Sequence, residues 1–184
     1  RIHEGYGLNK PAIEAAKREG VSLIVTVDTG ISAHEEVAYA AELGIDVVVT
    51  DHHEPPARLP AAVAVVNPKK PGCLYPYKDL AGVGVAFKLA QALTGRIPEE
   101  LLELVAIGTV ADLMPLTGEN RILVKHGIER LRQTRSPGIR ALLEVSGIDP
   151  RCVSANHIGF ALAPRINASG RLEAADAAVR LLTA

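Results

Sequence analysis

Val21-Ser22-Leu23-Ile24-Val25-Thr26-Val27, running into Asp28-Thr29-Gly30, and Asp46-Val47-Val48-Val49-Thr50, running into Asp51-His52-His53, decide the fold of this 184-residue chain. Each is a short run rich in β-branched residues, the pattern of a strand covered on both faces. Between them Ser32 and Glu35 have capping-box spacing, Val37, Ala40, Ala41 and Leu43 recur at helical spacing, and Gly44 supplies a stop. Strand, helix and strand over about thirty residues form a βαβ unit, so the strands are predicted parallel and the crossover right-handed. Ligands on open α/β sheets bind outside the carboxyl ends of the strands. Asp28 and the triplet Asp51-His52-His53 both fall there.

Working outward, Asn9 and Pro11 open a helix over residues 10–19 that Gly20 ends. Glu54-Pro55-Pro56 forces a loop, Ala62 to Val66 reads as a further strand, and Asn67-Pro68 through Pro76 is a Pro-rich connection. Beyond it the pattern turns helical, over residues 80–93, 98–107, 119–133, 137–145 and about 154–162. The predicted architecture is an α/β domain, a parallel sheet with helices on both faces, followed by a helical segment. The boundary is set at residues 1–116 for the α/β core and 117–184 for the helical extension.

Aromatic residues make up 3% of the chain and Trp is absent, so the core must be built from Val, Leu, Ile and Ala. No apolar run approaches the ~20 residues of a membrane span, and no basic region leads into an apolar one at the start. The chain reads as cytoplasmic, with no membrane partner. Cys73 and Cys152 have no paired framework and read as reduced structural thiols. Net charge is −1, which argues against a strongly basic nucleic-acid binder, but its distribution is uneven. Residues 1–120 carry 10 Lys/Arg against 16 Asp/Glu, and residues 121–184 carry 10 against 5. That asymmetry suits a cation site beside a phosphate-binding surface, and equally a plain solvated surface.

Asp28 ends a buried strand and precedes Thr29-Gly30, which leaves space for an ion or phosphate to approach the backbone. The competing reading is a cap for the helix near Ser32, a position Ser32 can fill itself. In the triplet, a carboxylate and two imidazoles cannot all enter an apolar core without partners. A strand end sends adjacent side chains in different directions, so one His can ligate a metal while the other faces substrate. Asp112 is a lone acid in the apolar stretch Leu104 to Leu116, and it needs either a cation or several hydrogen bonds at a helix end. Carboxylates with one or two imidazoles and no thiolate point to Mn²⁺ or Mg²⁺. Two such ions about 3.5–4 Å apart activate water and hold a phosphoryl oxygen for in-line attack. Gly82-Val83-Gly84 lacks the third glycine and the preceding strand of a dinucleotide fingerprint, and reads as close helix packing. Ala163 to Arg171 reads as a non-periodic stretch in which Arg165, Asn167 and Arg171 contact phosphate, against ordinary loop polarity. Arg1 and Tyr6 offer a phosphate contact and a stacking face for a base.

Asp28-Thr29-Gly30, Asp51-His52-His53 and Ala111-Asp112-Leu113-Met114-Pro115-Leu116, in that order and spacing, resemble the DHH phosphoesterase superfamily. Glu4-Gly5-Tyr6-Gly7-Leu8, Leu80 to Phe87 and Pro164 to Arg171 are similar to its branch of single-strand-specific DNA exonucleases. The resemblance implies metal-dependent phosphodiester hydrolysis from the 5′ end of single-stranded DNA, in recombination and repair. It further implies that Asp28 bridges two Mn²⁺ or Mg²⁺ ions, with His52 and Asp112 as metal ligands. Asp51 would then support the site from its edge, and His53 would contact the scissile phosphate or assist the leaving group. Arg165 and its neighbours would grip DNA phosphates, Tyr6 would meet the strand, and a single-strand-binding protein and a helicase would be partners. The family's Asp-x-Asp motif, which precedes the Glu-Gly-Tyr-Gly segment, has no match here. The chain is therefore expected to be a fragment with an incomplete metal site and little activity alone. Two other functions compete: a phosphoesterase of the same superfamily acting on small molecules or short oligonucleotides, and a non-catalytic scaffold that binds DNA or replication proteins.

Overall fold

The structure, a computed structural model, describes residues 7–172 and 175–184, with the side chains of 169–172 outside that description. It divides into two compact units, Arg1–Lys88 and Leu89–Ala184.

The first unit is the βαβ arrangement the sequence predicts. Helix α1 (Lys10–Arg18) starts where Asn9 Oδ1 accepts the Ala12 N–H at 2.9 Å, with Pro11 in the first turn. Strand β1 (Leu23–Val27), helix α2 (His34–Glu42), strand β2 (Asp46–Thr50) and the short strand β3 (Ala64–Val66) follow. The sheet is all parallel in the order β1-β2-β3, with Leu23 opposite Asp46 and Val27 opposite Thr50. That register brings the last residues of β1 and β2 level, so Asp28 and Asp51 emerge from one edge of the sheet. Ile13, Val37 and Ala40 from the helices close over Val47 and Val49 to form the core.

Two expectations are corrected here. β1 is not covered on both faces: Ile24 and Thr26 turn inward, while Leu23, Val25 and Val27 are 44–50% exposed. A β-branched run fits a half-covered edge strand as well as a central one, and among the described residues β1 is an edge. The capping box of Ser32 and Glu35 does not form either. The chain makes a turn in which Ala33 N–H donates to Gly30 O, and α2 starts at His34 with no side-chain cap.

The second unit is helical and follows helix α3 (Gly82–Thr94), which spans the division. Helix α4 (Leu102–Ala111) is apolar apart from Glu103 and Thr109 and crosses α5 (Gly118–Leu131) so closely that a Cβ on Gly127 would stand 2.2 Å from the Leu102 carbonyl oxygen. Because α4 packs most heavily on α5, it belongs with the helical unit. The two compact units divide between Lys88 and Leu89. Helix α6 (Pro137–Val145) is capped by Ser136, whose Oγ accepts the Ile139 N–H. Ile107, Val124, Leu131, Ile139, Leu142, Ile158 and Leu162 fill the core.

The segment 163–171, expected to be a non-periodic stretch, is helical instead. A single turn α7 (Ala155–His157) passes through a π turn at Ile158–Leu162 into α8 (Ala163–Leu172), and α9 (Asp176–Thr183) follows. Pro164 lacks an N–H and crowds the preceding turn, which a regular helix does not accommodate; the wider π turn just before it does. Both cysteines are free. No described helix is long and apolar enough to cross a membrane.

Candidate metal centre

Asp28 leaves β1 with φ +62°, a left-handed conformation that Asp tolerates better than most residues but still at a cost. Its N–H donates to Thr50 O at 3.1 Å, continuing the β1–β2 ladder by one residue. Thr50 Oγ1 donates to Thr26 O, and Thr26 Oγ1 donates to Thr29 O, each at 2.7 Å. These hydroxyl bridges stitch the two strand ends together around Asp28. The carboxylate lies where the strand has stopped and its direction is fixed.

Asp51 is buried, with 1% of its surface exposed, and every hydrogen bond it makes is to the site. Oδ2 accepts the Ile31 N–H at 2.9 Å, which ties the loop after β1 to the end of β2. Oδ1 accepts the N–H groups of His52 (2.8 Å) and His53 (3.2 Å) and meets His53 Nδ1 at 2.7 Å. Burial alone pushes this carboxyl up, but the hydrogen bonds from Ile31, the His53 ring and the two histidine amides outweigh it and hold Asp51 below its ordinary value. It is therefore ionised at neutral pH and can only accept. His53 Nδ1 must then carry a proton, which leaves Nε2 as the ring nitrogen that Asp51 does not engage.

One ligand atom from each of Asp28, His52 and His53 lies within 4.8 Å of the others. His52 Nε2 approaches Asp28 Oδ1 at 2.9 Å, yet Oδ1 is a buried oxygen that accepts no hydrogen bond. A buried carboxylate oxygen beside an imidazole nitrogen, without hydrogen-bond alignment, fits a cation with oxygen and nitrogen ligands. Asp28, Asp51 and His53 open onto a cleft of about 470 Å³, whose walls add Glu36 and Glu54. The rings of His52 and His53 are 4.5 Å apart. The geometry gathers both imidazoles at Asp28 and does not itself separate a metal-binding histidine from a substrate-facing one.

Asp112 belongs to the second unit, where it is the exposed carboxyl-terminal cap of α4. Its exposure removes the argument that a buried charge there demands a cation. Leu113 follows it at φ +56° and is 88% exposed. Leu113 N–H donates to Val110 O and Met114 N–H to Thr109 O, the helix ending that ordinarily takes glycine at this position. Asp28 and Leu113 are the non-glycine residues with positive φ among those described, and each is at or beside an expected ligand. Since Leu113 contributes little packing, Leu113→Gly is expected to raise stability by about 0.5–1 kcal/mol, measured as an upward shift of the urea midpoint at unchanged slope.

Arg165 and Asn167 are exposed on α8, and Arg165 Nη1 donates to Ala161 O at 2.9 Å. Arg171 falls on the same helix, with its side chain outside the description, and Arg1 and Tyr6 lie outside the described residues. Sequence reading missed two buried asparagines. Asn67 donates to His53 O at 2.9 Å and accepts the Lys69 N–H, which holds the backbone of the triplet from the end of β3. Asn120 donates to Pro115 O at 3.1 Å and so holds the turn after Asp112. The Asn67-Pro68 pair was a turn signal; nothing local marked Asn120.

The strand-end carboxylates and the adjacent histidines are the hallmark of one class of protein. The model of the DHH family, N-terminal domain, matches residues 3–109, and the chain belongs to that family. The single-stranded-DNA-specific exonuclease RecJ of Bacillus subtilis (strain 168) is 57% identical over 182 residues, covering 99% of this chain and 23% of that protein. A crystal structure of exonuclease RecJ bound to manganese superposes with a TM-score of 0.85 at 39% identity, covering 100% of this chain and 47% of the other. A crystal structure of RecJ from Thermus thermophilus in complex with Mn²⁺ gives 0.81 at 38% identity, covering 95% and 26%. This chain thus spans about a quarter of the length of the Bacillus relative.

Proposed function

We propose that the chain carries part of the catalytic centre of a metal-dependent exonuclease that degrades single-stranded DNA from the 5′ end, acting in the cytoplasm in recombination and repair. The observation that carries the reading is the convergence of Asp28, His52 and His53 on one point of a strand-end cleft, with Asp28 Oδ1 lacking a hydrogen bond. The names of the relatives, and the manganese in their structures, support the substrate and the metal.

Asp28 and His52 would hold Mn²⁺ or Mg²⁺, with Asp112 as a further ligand. Such ions supply charge neutralisation and an acidified water to phosphodiester hydrolysis. Asp51 does not touch the reacting atoms in this scheme: it fixes the His53 tautomer and locks the two strand-end loops together. His53, with Nδ1 committed to Asp51, has Nε2 to receive a proton when neutral or to donate to a phosphate oxygen or leaving group when protonated. Arg165, Asn167 and Arg171 on α8, with Arg1 and Tyr6, would contact the strand; a single-strand-binding protein and a helicase would be its partners.

The test is hydrolysis of a long 5′-labelled single strand and of dinucleotides by the full-length protein with Mn²⁺. Mononucleotide release from the long strand is expected, and preference for dinucleotides would overturn the reading in favour of a small-substrate phosphoesterase. His53→Ala is expected to lower turnover by about 10²–10⁴-fold, the usual worth of a general acid or base. Its Mn²⁺ affinity should change far less than that of Asp28→Asn, and equal losses of affinity would make His53 a ligand instead.

A further inference from the structure

The Gly-x-Gly of α3 looks like two equivalent packing glycines, but the two sit against different atoms. A Cβ on Gly84 would meet the flexible side chain of Leu80, nearest at 3.2 Å. A Cβ on Gly82 would stand 2.4 Å from Asp28 Oδ1 and 2.6 Å from Asp28 Cβ and Cγ, and these are the three nearest atoms. Gly82 is helical and its φ is not in the left-handed region, so its backbone conformation is open to any residue. What requires glycine is the space taken by the Asp28 side chain.

Asp28 is thereby confined from two directions. Its own left-handed backbone sets where the side chain leaves the strand end, and the bare Cα of Gly82 is the surface on which the carboxylate rests. Leu80 and Ala81, each 1% exposed, anchor the start of α3, so that surface cannot simply retreat. We propose that Gly82 is a positioning residue for Asp28, acting by the absence of a side chain to hold Oδ1 beside His52. The proposal rests on the reading of Asp28 as a metal ligand. A methyl group at residue 82 would act on the ligand before it acted on the core.

The experiment is titration of the full-length protein with Mn²⁺ alone, followed by the electron paramagnetic resonance of the free ion, for the parent, Asp28→Asn, Gly82→Ala and Gly84→Ala. Gly82→Ala is expected to weaken Mn²⁺ binding by about tenfold or more, the loss typical when a ligand's support is altered, while Gly84→Ala binds as the parent does. Parent-like affinity in Gly82→Ala, or an equal loss in Gly84→Ala, overturns the proposal. If the parent binds no Mn²⁺, or Asp28→Asn binds as the parent does, the metal reading fails by itself. The positioning of Asp28 is then decided by thermal melting; if Gly82→Ala alone does not fold, the Asp28→Gly background should restore a cooperative melt. The drop in melting temperature caused by Gly82→Ala should shrink in the Asp28→Gly background, where the crowded side chain is gone. An equal drop in both backgrounds, or a double variant that does not fold, shows that residue 82 is constrained by something other than Asp28 and sinks the proposal.

Discussion

Asp51→Asn is expected to destabilise the protein by about 3 kcal/mol or more, a large effect for exchange of one oxygen for an NH₂ group. The reason lies in the donor count. Asp51 accepts from three backbone N–H groups and from the His53 ring, and it donates nothing. An amide offers one acceptor atom, and its NH₂ group would face donors from either side. If the amide oxygen keeps the His52 and His53 partners, the Ile31 N–H is left opposite an NH₂ group; if it turns toward Ile31, three donors lose their acceptor. At 1% exposure water cannot make good the deficit. The same change releases His53 Nδ1 from a carboxylate that dictates its protonation, so the ring can adopt either tautomer. A fall in the urea midpoint, together with a two-dimensional nitrogen spectrum of His53 showing mixed tautomers, is the expected outcome. Parent-like stability would mean that Asp51 is not the junction between the two strand-end loops.

Asp51 also shows what sequence can carry. The triplet is legible because its three residues are adjacent, and because two β-branched runs separated by one helix admit a parallel pairing that brings Asp28 and Asp51 level. Everything that depended on neighbours distant in the chain was hidden. The Gly82 contact with Asp28 joins an α3 residue to a strand end, and the local pattern of Gly82-Val83-Gly84 pointed to helix packing instead. Asn67 and Asn120 read as loop and helix polarity until their carbonyl partners are known. Residues 163–171 were misread because Pro164 and Gly170 are breakers by rule, whereas a π turn at Ile158–Leu162 lets the helix pass Pro164. The exposure of Leu23, Val25 and Val27 was likewise beyond reach, since β-branched residues fit either an edge or a central strand. Backbone strain is the least legible of all, because Asp28 and Leu113 occupy positions where pattern would place glycine.

That strain gives the second large effect, a separation of stability from metal binding at Asp28. At φ +62° a residue with a Cβ pays a conformational cost, smallest for Asn and Asp and absent for Gly. Asp28→Gly should therefore keep or slightly raise stability, Asp28→Asn should leave it within about 0.5 kcal/mol, and Asp28→Ala should lower it by about 1 kcal/mol, the lower end of the left-handed penalty. In all three the charged oxygen beside His52 is gone. Mn²⁺ affinity should accordingly fall in all three by more than about 100-fold, beyond the range seen when only a ligand's support is changed. Urea midpoints and Mn²⁺ titrations on the same preparations check both halves. If Asp28→Gly loses stability as Asp28→Ala does, the left-handed backbone is not a source of strain. If affinity follows stability through the series instead of collapsing together, the carboxylate is serving the fold and not the ion. The expected pattern, stability ordered by backbone tolerance and affinity lost regardless, is that of a residue kept in a costly conformation for the sake of its side chain.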